Sequence, residues 1–349
     1  HTPANNVSTI EILPAPSLVN GENVTYVYGE PIKVDYNSTN ATGVSYEIYD
    51  ELGNFVTNGT VGPNGTIDVD QLAVGNYTVY WNNTVDGNHT PANNVSTIEI
   101  LPAPSLVNGT DVTVTYGEPI EVPYESTNAT SVVYEIFDED GNLVTNGTVG
   151  PDGIVPVDQL PVGNYTVNWT NIVDGNHTPA TNTSTITVLP APSLVEGENV
   201  TVYYGDPIVV PYESTNATSV TYEVFDSEGN PVTNGTVGPD GTVPVSQLPI
   251  GNYTVKWDTI VDENHIPATN TSTITVLPVP TKITIDNVTV YPGENVTIPI
   301  NVTTINDEPF NGTVAVIMPD NSTQTVTIIN GTGNVTWYVP DDYTPDKYP

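Results

Sequence analysis

The residues whose type and spacing could carry chemistry are asparagines. In Asn-X-Ser/Thr the side-chain amide can accept an N-linked sugar when the hydroxyl residue stands two positions on. Candidate acceptors are Asn6, Asn23, Asn37, Asn40, Asn58, Asn64, Asn76, Asn82, Asn88 and Asn94, then Asn108, Asn128, Asn146, Asn164, Asn168, Asn176 and Asn182. They continue with Asn199, Asn216, Asn234, Asn252 and Asn270, and end with Asn287, Asn295, Asn301, Asn311, Asn321, Asn330 and Asn334. About three-quarters of all asparagines lie in such sequons, where the Ser and Thr content would place about a fifth by chance. A strand whose outer face alternates Asn and Thr also produces Asn-Val-Thr or Asn-Tyr-Thr without any sugar. That origin does not cover Asn58-Gly59-Thr60, Asn146-Gly147-Thr148 and Asn234-Gly235-Thr236, which read as loop motifs. Glycosylation at partial occupancy is therefore expected.

Other candidate chemistry is thin. His1, His89, His177 and His265 recur every 88 residues, with no second His, no Cys and no carboxylate pair at ligand spacing. A lone polar residue in the loop before the last strand is the simpler reading. Asp138-Glu139-Asp140-Gly141-Asn142 partly resembles a calcium loop, but its equivalents at 50–54 and 226–230 lose carboxylates and no bidentate Glu follows. A hairpin turn with Gly at positive φ is expected there. Lys33 is matched by Glu121 and Val209, and Lys256 by Tyr80 and Asn168, so no repeat-wide Lys–Asn isopeptide can form. Only Lys282 leaves that possibility open. There is no nucleophile elbow, zinc-protease motif, phosphate loop or dinucleotide fingerprint. No catalytic, metal or cofactor-binding residue is expected, and the chain does not read as an enzyme.

What positions these residues is a repeat. Tyr28, Tyr116 and Tyr204 are 88 residues apart, as are Gly75, Gly163 and Gly251. In the second copy the strand signals are Val112 to Tyr116, Ile120 to Tyr124, Val132 to Phe137, Leu143 to Val149, Ile154 to Val157, Tyr165 to Trp169 and Thr185 to Leu189. No 3.6-residue apolar stripe appears, so almost no helix is expected. About seven short strands per unit predict an all-β fold of tandem immunoglobulin-like β-sandwiches in a linear array. Leu160-Pro161-Val162-Gly163-Asn164-Tyr165 is the setting of a tyrosine corner, with Tyr165, Val167 and Trp169 facing the core and Asn164, Thr166 and Asn168 facing water.

The expected boundaries are 1–14 for the last strand of a preceding repeat, then repeats at 15–102, 103–190 and 191–278, and a divergent, incomplete immunoglobulin-like unit at 279–349. Leu-Pro-Ala-Pro-Ser-Leu at 101–106 and 189–194 predicts semi-rigid polyproline joints. The first residue is His1, and both end segments look like partial units, which suggests a processed or excised piece of a longer chain. Strand donation between subunits is the other way to read those ends.

Composition narrows the partners. Four Lys+Arg against 41 Asp+Glu give a net charge of −37, which repels nucleic acid and anionic lipid. Cysteine is absent, so disulfides and thiolate sites are too. No apolar run approaches the ~20 residues that span a bilayer. Hydrophobic residues still make up 37 % and fall in alternating runs, which separates the chain from acidic disordered sequences.

Val-Thr-Val-x-Tyr-Gly-(Glu/Asp)-Pro at 112–119 and 200–207, Gly-Asn-Tyr-Thr-Val at 75–79, 163–167 and 251–255, and Asp-Gly-Asn-His-Thr-Pro at 86–91 and 174–179 resemble the adhesin-like surface proteins of methanogenic archaea. Residues 15–278 carry the likeness, and Asn-Val-Thr-Trp-Tyr-Val-Pro at 334–340 resembles another repeat of those proteins. The resemblance implies secretion, a cell-surface or filament location, and a part in adhesion or cell–cell contact. Single sequons come and go between copies: Asn37 becomes Glu125 and Glu213, and Asn264-His265-Ile266 is no sequon. That pattern suits a coat on a stalk or fibre better than a binding determinant. Expected partners are N-linked glycans, other copies of the chain or other cell surfaces. A carbohydrate- or cell-binding module is the alternative.

Overall fold

Short alternating runs bury one face each, so they must pair into sheets that pack face to face. The computed structural model describes every residue except Pro345, Tyr348 and Pro349, and among the described residues it contains strands and turns but no helix. The chain divides into two compact units, His1–Pro190 and Ala191–Pro349.

The first unit holds two of the repeats. In the second repeat, Leu106–Gly109, Ile120–Thr127 and Gly153–Val157 form a three-stranded sheet in that order. Val112–Thr115, Thr181–Leu189, Gly163–Ile172, Ser131–Phe137 and Leu143–Val149 form a five-stranded sheet, again in that order. Val112–Thr115 runs parallel to its neighbour and the remaining pairs are antiparallel. The first repeat and the repeat at the start of the second unit have the same order. Two such sheets with this connectivity make an immunoglobulin-like sandwich.

Seven strands were expected, the first at Val112 to Tyr116, and an unforeseen strand precedes it. Leu106–Gly109 pairs with one sheet and Val112–Thr115 with the other. The Thr110 amide donates to the Pro123 carbonyl at 2.9 Å while the chain changes sheets.

The core of each of the three repeats is built around one tryptophan. Trp169 is fully buried and lies nearly parallel to Tyr124, with ring centroids 5.1 Å apart. Its Nε1 donates to the buried Ser184 Oγ at 2.8 Å, so the indole brings no unsatisfied donor inside. Gly109 makes room for it: a Cβ there would stand 2.0 Å from Nε1. The tyrosine corner is present, with Tyr165 OH donating to the Pro161 carbonyl at 2.9 Å. Tyr77 and Tyr253 do the same to Ala73 and Pro249. As the alternation predicts, Tyr165 and Val167 are buried while Asn164 and Thr166 are exposed.

The expected polyproline joint is absorbed into the second repeat. Leu101 ends the last strand of the first repeat, and Ala103–Pro104 already pairs in parallel with His177–Thr178, which leaves Pro102 alone between them. A buried network fixes this stretch. Asn171 Nδ2 donates to Ser105 Oγ at 2.8 Å, Asn171 Oδ1 accepts the Ala180 amide at 2.6 Å, and Ser105 Oγ donates to the Thr178 carbonyl.

Residues 1–14 match a repeat's last strand in sequence but form no strand here. Nothing in the described chain pairs with them, and Val7, Ile10 and Ile12 are exposed. In the second unit, the residues after the third repeat form a three-stranded sheet of Thr281–Ile285, Asn295–Thr304 and Thr332–Tyr338, with a hairpin of Gly312–Ile317 and Thr323–Ile328. Ile300, Val302, Met318, Val326, Ile328 and Val335 form their small core.

Candidate functional site

Glycosylation needs the Asn side chain to reach solvent, and the fold meets that condition at every candidate. None of the sequon asparagines is buried: Asn94, Asn168, Asn176 and Asn182 are half-buried and the rest are exposed. The buried asparagines are Asn83 and Asn171, neither of which heads a sequon.

Many sequons nonetheless have a structural origin. Asn40, Asn128 and Asn216 adopt φ of 57°, 61° and 59°, a left-handed conformation that Asn tolerates well. Their Nδ2 groups donate to the carbonyls of Pro16, Pro104 and Pro192 at 2.9 Å. The matching Thr42, Thr130 and Thr218 hydroxyls each donate to a strand carbonyl at 3.0 Å. Asn321 and Asn330 also sit at positive φ. Asn23 and Asn199 accept a strand amide through Oδ1 at 2.9 Å, and Asp111 does so at the equivalent place. Asn64 accepts the Ser38 amide, with Asp152 and Asp240 in the same role in the other repeats. In the sequons of Asn94, Asn182 and Asn270, the serine is the buried partner of the core tryptophan.

The Asn-Gly-Thr motifs are not in loops. Asn58, Asn146 and Asn234 lie within Phe55–Val61, Leu143–Val149 and Pro231–Val237, the edge strands of the five-stranded sheets. A central Gly reads as a turn, but here it makes room for an aromatic ring. A Cβ at Gly147 would meet the Tyr134 ring at 2.7 Å, and Gly59 and Gly235 stand against Tyr46 and Tyr222 in the same way. Strand alternation thus extends to the very motifs it was not expected to cover.

The histidine loop does more than the sequence suggested. His177 Nδ1 lies 2.6 Å from Asp174 Oδ1, which also accepts the Asn176 amide at 2.8 Å. These bonds, the Asn176 amide first and His177 second, hold the Asp174 carboxyl below its ordinary pKa. The loop meets the preceding repeat. Val74 donates its amide to Asn176 Oδ1 at 3.0 Å, and the Tyr28 ring meets His177 edge-on with centroids 5.4 Å apart. The recurrence of both Tyr-Gly-(Glu/Asp)-Pro and Asp-Gly-Asn-His once per repeat was the available signal for this joint.

The acidic hairpins are turns whose first carboxylate is used internally. Asp138 accepts the Asn142 amide at 2.8 Å and its Nδ2 at 3.0 Å, while Gly141 stands at φ 80°. Among the described residues no group of three or more His, Cys, Asp or Glu could hold a metal ion. Lys282 lies on the strand Thr281–Ile285 and is exposed.

One further surface feature is confined to the first repeat. Tyr49 meets Phe55 and Tyr80 edge-on, at 5.8 Å and 5.7 Å, on the outer face of the five-stranded sheet, and Tyr49 OH donates to Glu47 Oε2 at 3.1 Å. The equivalents of Tyr80 are Asn168 and Lys256, and those of Phe55 are Leu143 and Pro231.

No known family profile matches the chain, and no curated protein matches it. Among solved structures, one described as structural insight into host cell surface retention of a 1.5-MDa bacterial ice-binding adhesin is similar at 14 % identity and a TM-score of 0.31, covering 76 % of this chain and 99 % of its own. A three-immunoglobulin-domain segment of titin is similar at 13 % identity and a TM-score of 0.29, covering 75 % and 99 %. Likeness this loose adds nothing to the sheet order, which itself defines tandem immunoglobulin-like β-sandwiches.

Proposed function

We propose that the chain is a structural, N-glycosylated stretch of an extracellular stalk or fibre, part of an adhesin-like surface protein. The joint in the first unit carries the reading. A single residue, Pro102, separates paired elements of successive repeats, and the Asn176–His177 loop holds the Val74 and Tyr28 turns of its predecessor. Repeats fastened in this way transmit force and orientation along the chain instead of swinging on linkers. The acidic surface and solvent-accessible sequons suit a hydrated coat. The motif resemblance to methanogen surface proteins is the support for an archaeal source. The units of the stalk are taken as 15–102, 103–190 and 191–278. Electron microscopy of native material, with mass spectrometry of intact glycopeptides, tests this. Threads or rods with regular domain-length beading and sugar on asparagine are expected. Collapsed globules, or asparagines bare throughout, would contradict it.

A second reading rests on the Tyr49, Phe55 and Tyr80 cluster, because exposed aromatic faces beside a carboxylate can stack on and hydrogen-bond a sugar ring. Glycan-array binding that disappears in Tyr80→Asn, the residue of the second repeat, would favour that module. An array with no binding at high protein concentration would remove it.

A further inference from the structure

We propose that each repeat carries its glycan on the Asn-Gly-Thr of its edge strand, at Asn58, Asn146 and Asn234, and that the sugar guards that sheet edge against pairing with another copy. The assignment rests on the glycosylated-stalk reading and narrows it from many candidate asparagines to one per repeat.

Two independent observations lead there. The first is what the residues do for the protein itself. Where an asparagine serves through Oδ1, an aspartate replaces it in another repeat and the sequon vanishes, as Asn23 gives way to Asp111 and Asn64 to Asp152. Where it serves through a left-handed turn, as at Asn128, both it and Thr130 are held by backbone carbonyls. Such sequons follow from folding alone. At Asn58, Asn146 and Asn234, all exposed, neither the asparagine nor the threonine two positions on makes a side-chain hydrogen bond among the described residues. Only the glycine is explained, by the tyrosine ring beside it. All three copies keep both unexplained residues, while the Asn37, Asn82 and Asn88 sequons each fail in at least one other repeat. Asn76, Asn164 and Asn252 also persist, but Asn164 and Asn252 serve the fold through Oδ1, which accepts the Thr187 and Thr275 hydroxyls at 3.1 Å.

The second observation is the edge. Among the described residues, Phe55–Val61, Leu143–Val149 and Pro231–Val237 each pair on one side only, and no strand covers the other side. An edge strand is ordinarily protected by charge, proline or a covering element. These read FVTNGTV, LVTNGTV and PVTNGTV, without a charge in a chain that has 41 acidic residues, and only the third has a proline, at its start. Seven uncharged residues rich in Val and Thr form a segment that pairs readily with a copy of itself. A sugar on the outward asparagine at the middle of the strand would block the approach of a second sheet sterically, at any ionic strength.

Site-resolved glycopeptide mass spectrometry of the chain made in its native host gives the first test. Occupancy should be highest at Asn58, Asn146 and Asn234 and low at Asn23, Asn64 and Asn128. Sugar elsewhere with these three bare would overturn the assignment and leave the stalk reading standing, whereas no sugar anywhere would sink both. The second test removes all three sequons from the full chain, once as Asn→Gln and once as Thr60→Ala, Thr148→Ala and Thr236→Ala, which leaves every asparagine in place. Asn37→Gln serves as the control. At about 0.5 M salt, where screening shrinks charge repulsion to a few ångströms, both triple variants should form large assemblies by light scattering, and the control should not. Triple variants that melt like the parent and stay monodisperse at that salt would overturn the shielding role.

Discussion

Trp169 depends on two small neighbours, and each gives a residue-scale prediction. Gly109→Ala drives a methyl into the indole, and overpacking of this kind costs about 1–3 kcal/mol. Ser184→Ala leaves Nε1 buried without an acceptor, at a cost of about 1–3 kcal/mol. Chemical denaturation of the chain should show one repeat losing that stability while the other two keep theirs, with Gly117→Ala ruled out as a control because its φ of 94° is itself unfavourable to alanine. The aromatic face of Tyr165, Val167 and Trp169 was legible from alternation alone. Gly109 and Ser184 were not, because their role arises only when the unforeseen strand Leu106–Gly109 and the last strand meet over the tryptophan. The same holds for the Asn-Gly-Thr motifs. A glycine in sequence looks like a turn, and only the tyrosine packed on it shows that it belongs to a strand.

At the scale of elements, the hairpins and joints should respond to pH and to substitution. Asp50, Asp138 and Asp226 are held below the ordinary carboxyl pKa, chiefly by the side-chain amides of Asn54, Asn142 and Asn230. A carboxylate whose folded pKa is depressed supplies stability above about pH 4 and loses it as the pH falls through the folded value. The hairpins should therefore loosen below about pH 4, seen as faster exchange of the Asn142 amide after correction for intrinsic rates. Tyr36, Tyr124 and Tyr212 are pushed up by burial. Their contribution holds below about pH 10 and is lost as the pH rises through the raised folded values, so alkaline unfolding should begin above about pH 10. At the joint, Asn176→Ala should speed exchange of the Val74 amide, whereas Asn88→Ala should leave it unchanged. Unchanged Val74 exchange in Asn176→Ala would show that the loop does not fasten the repeats. The loop itself was visible in the sequence. Its partner was not, because Tyr28 and Val74 belong to a different copy, and the paired prolines pointed to a semi-rigid polyproline joint instead.

For the whole molecule, the repeat period fixes both the fold and the mechanical unit. Each copy has its own tryptophan core and its own pair of sheets, so each should unfold as one cooperative event. The segments at 1–14 and after the third repeat were harder to read. Sequence likeness to a strand does not make one where no partner sheet lies alongside, and the last unit's core lacks the Trp–Ser pair that organises the others. The most direct test of the stalk account is single-molecule force extension of the full chain. Three unfolding events of similar force are expected, each releasing the contour of an 88-residue repeat, roughly 300 Å less the folded length. Extension without discrete events, or in one step of unrelated length, would contradict the claim that these repeats are independent units of a stalk.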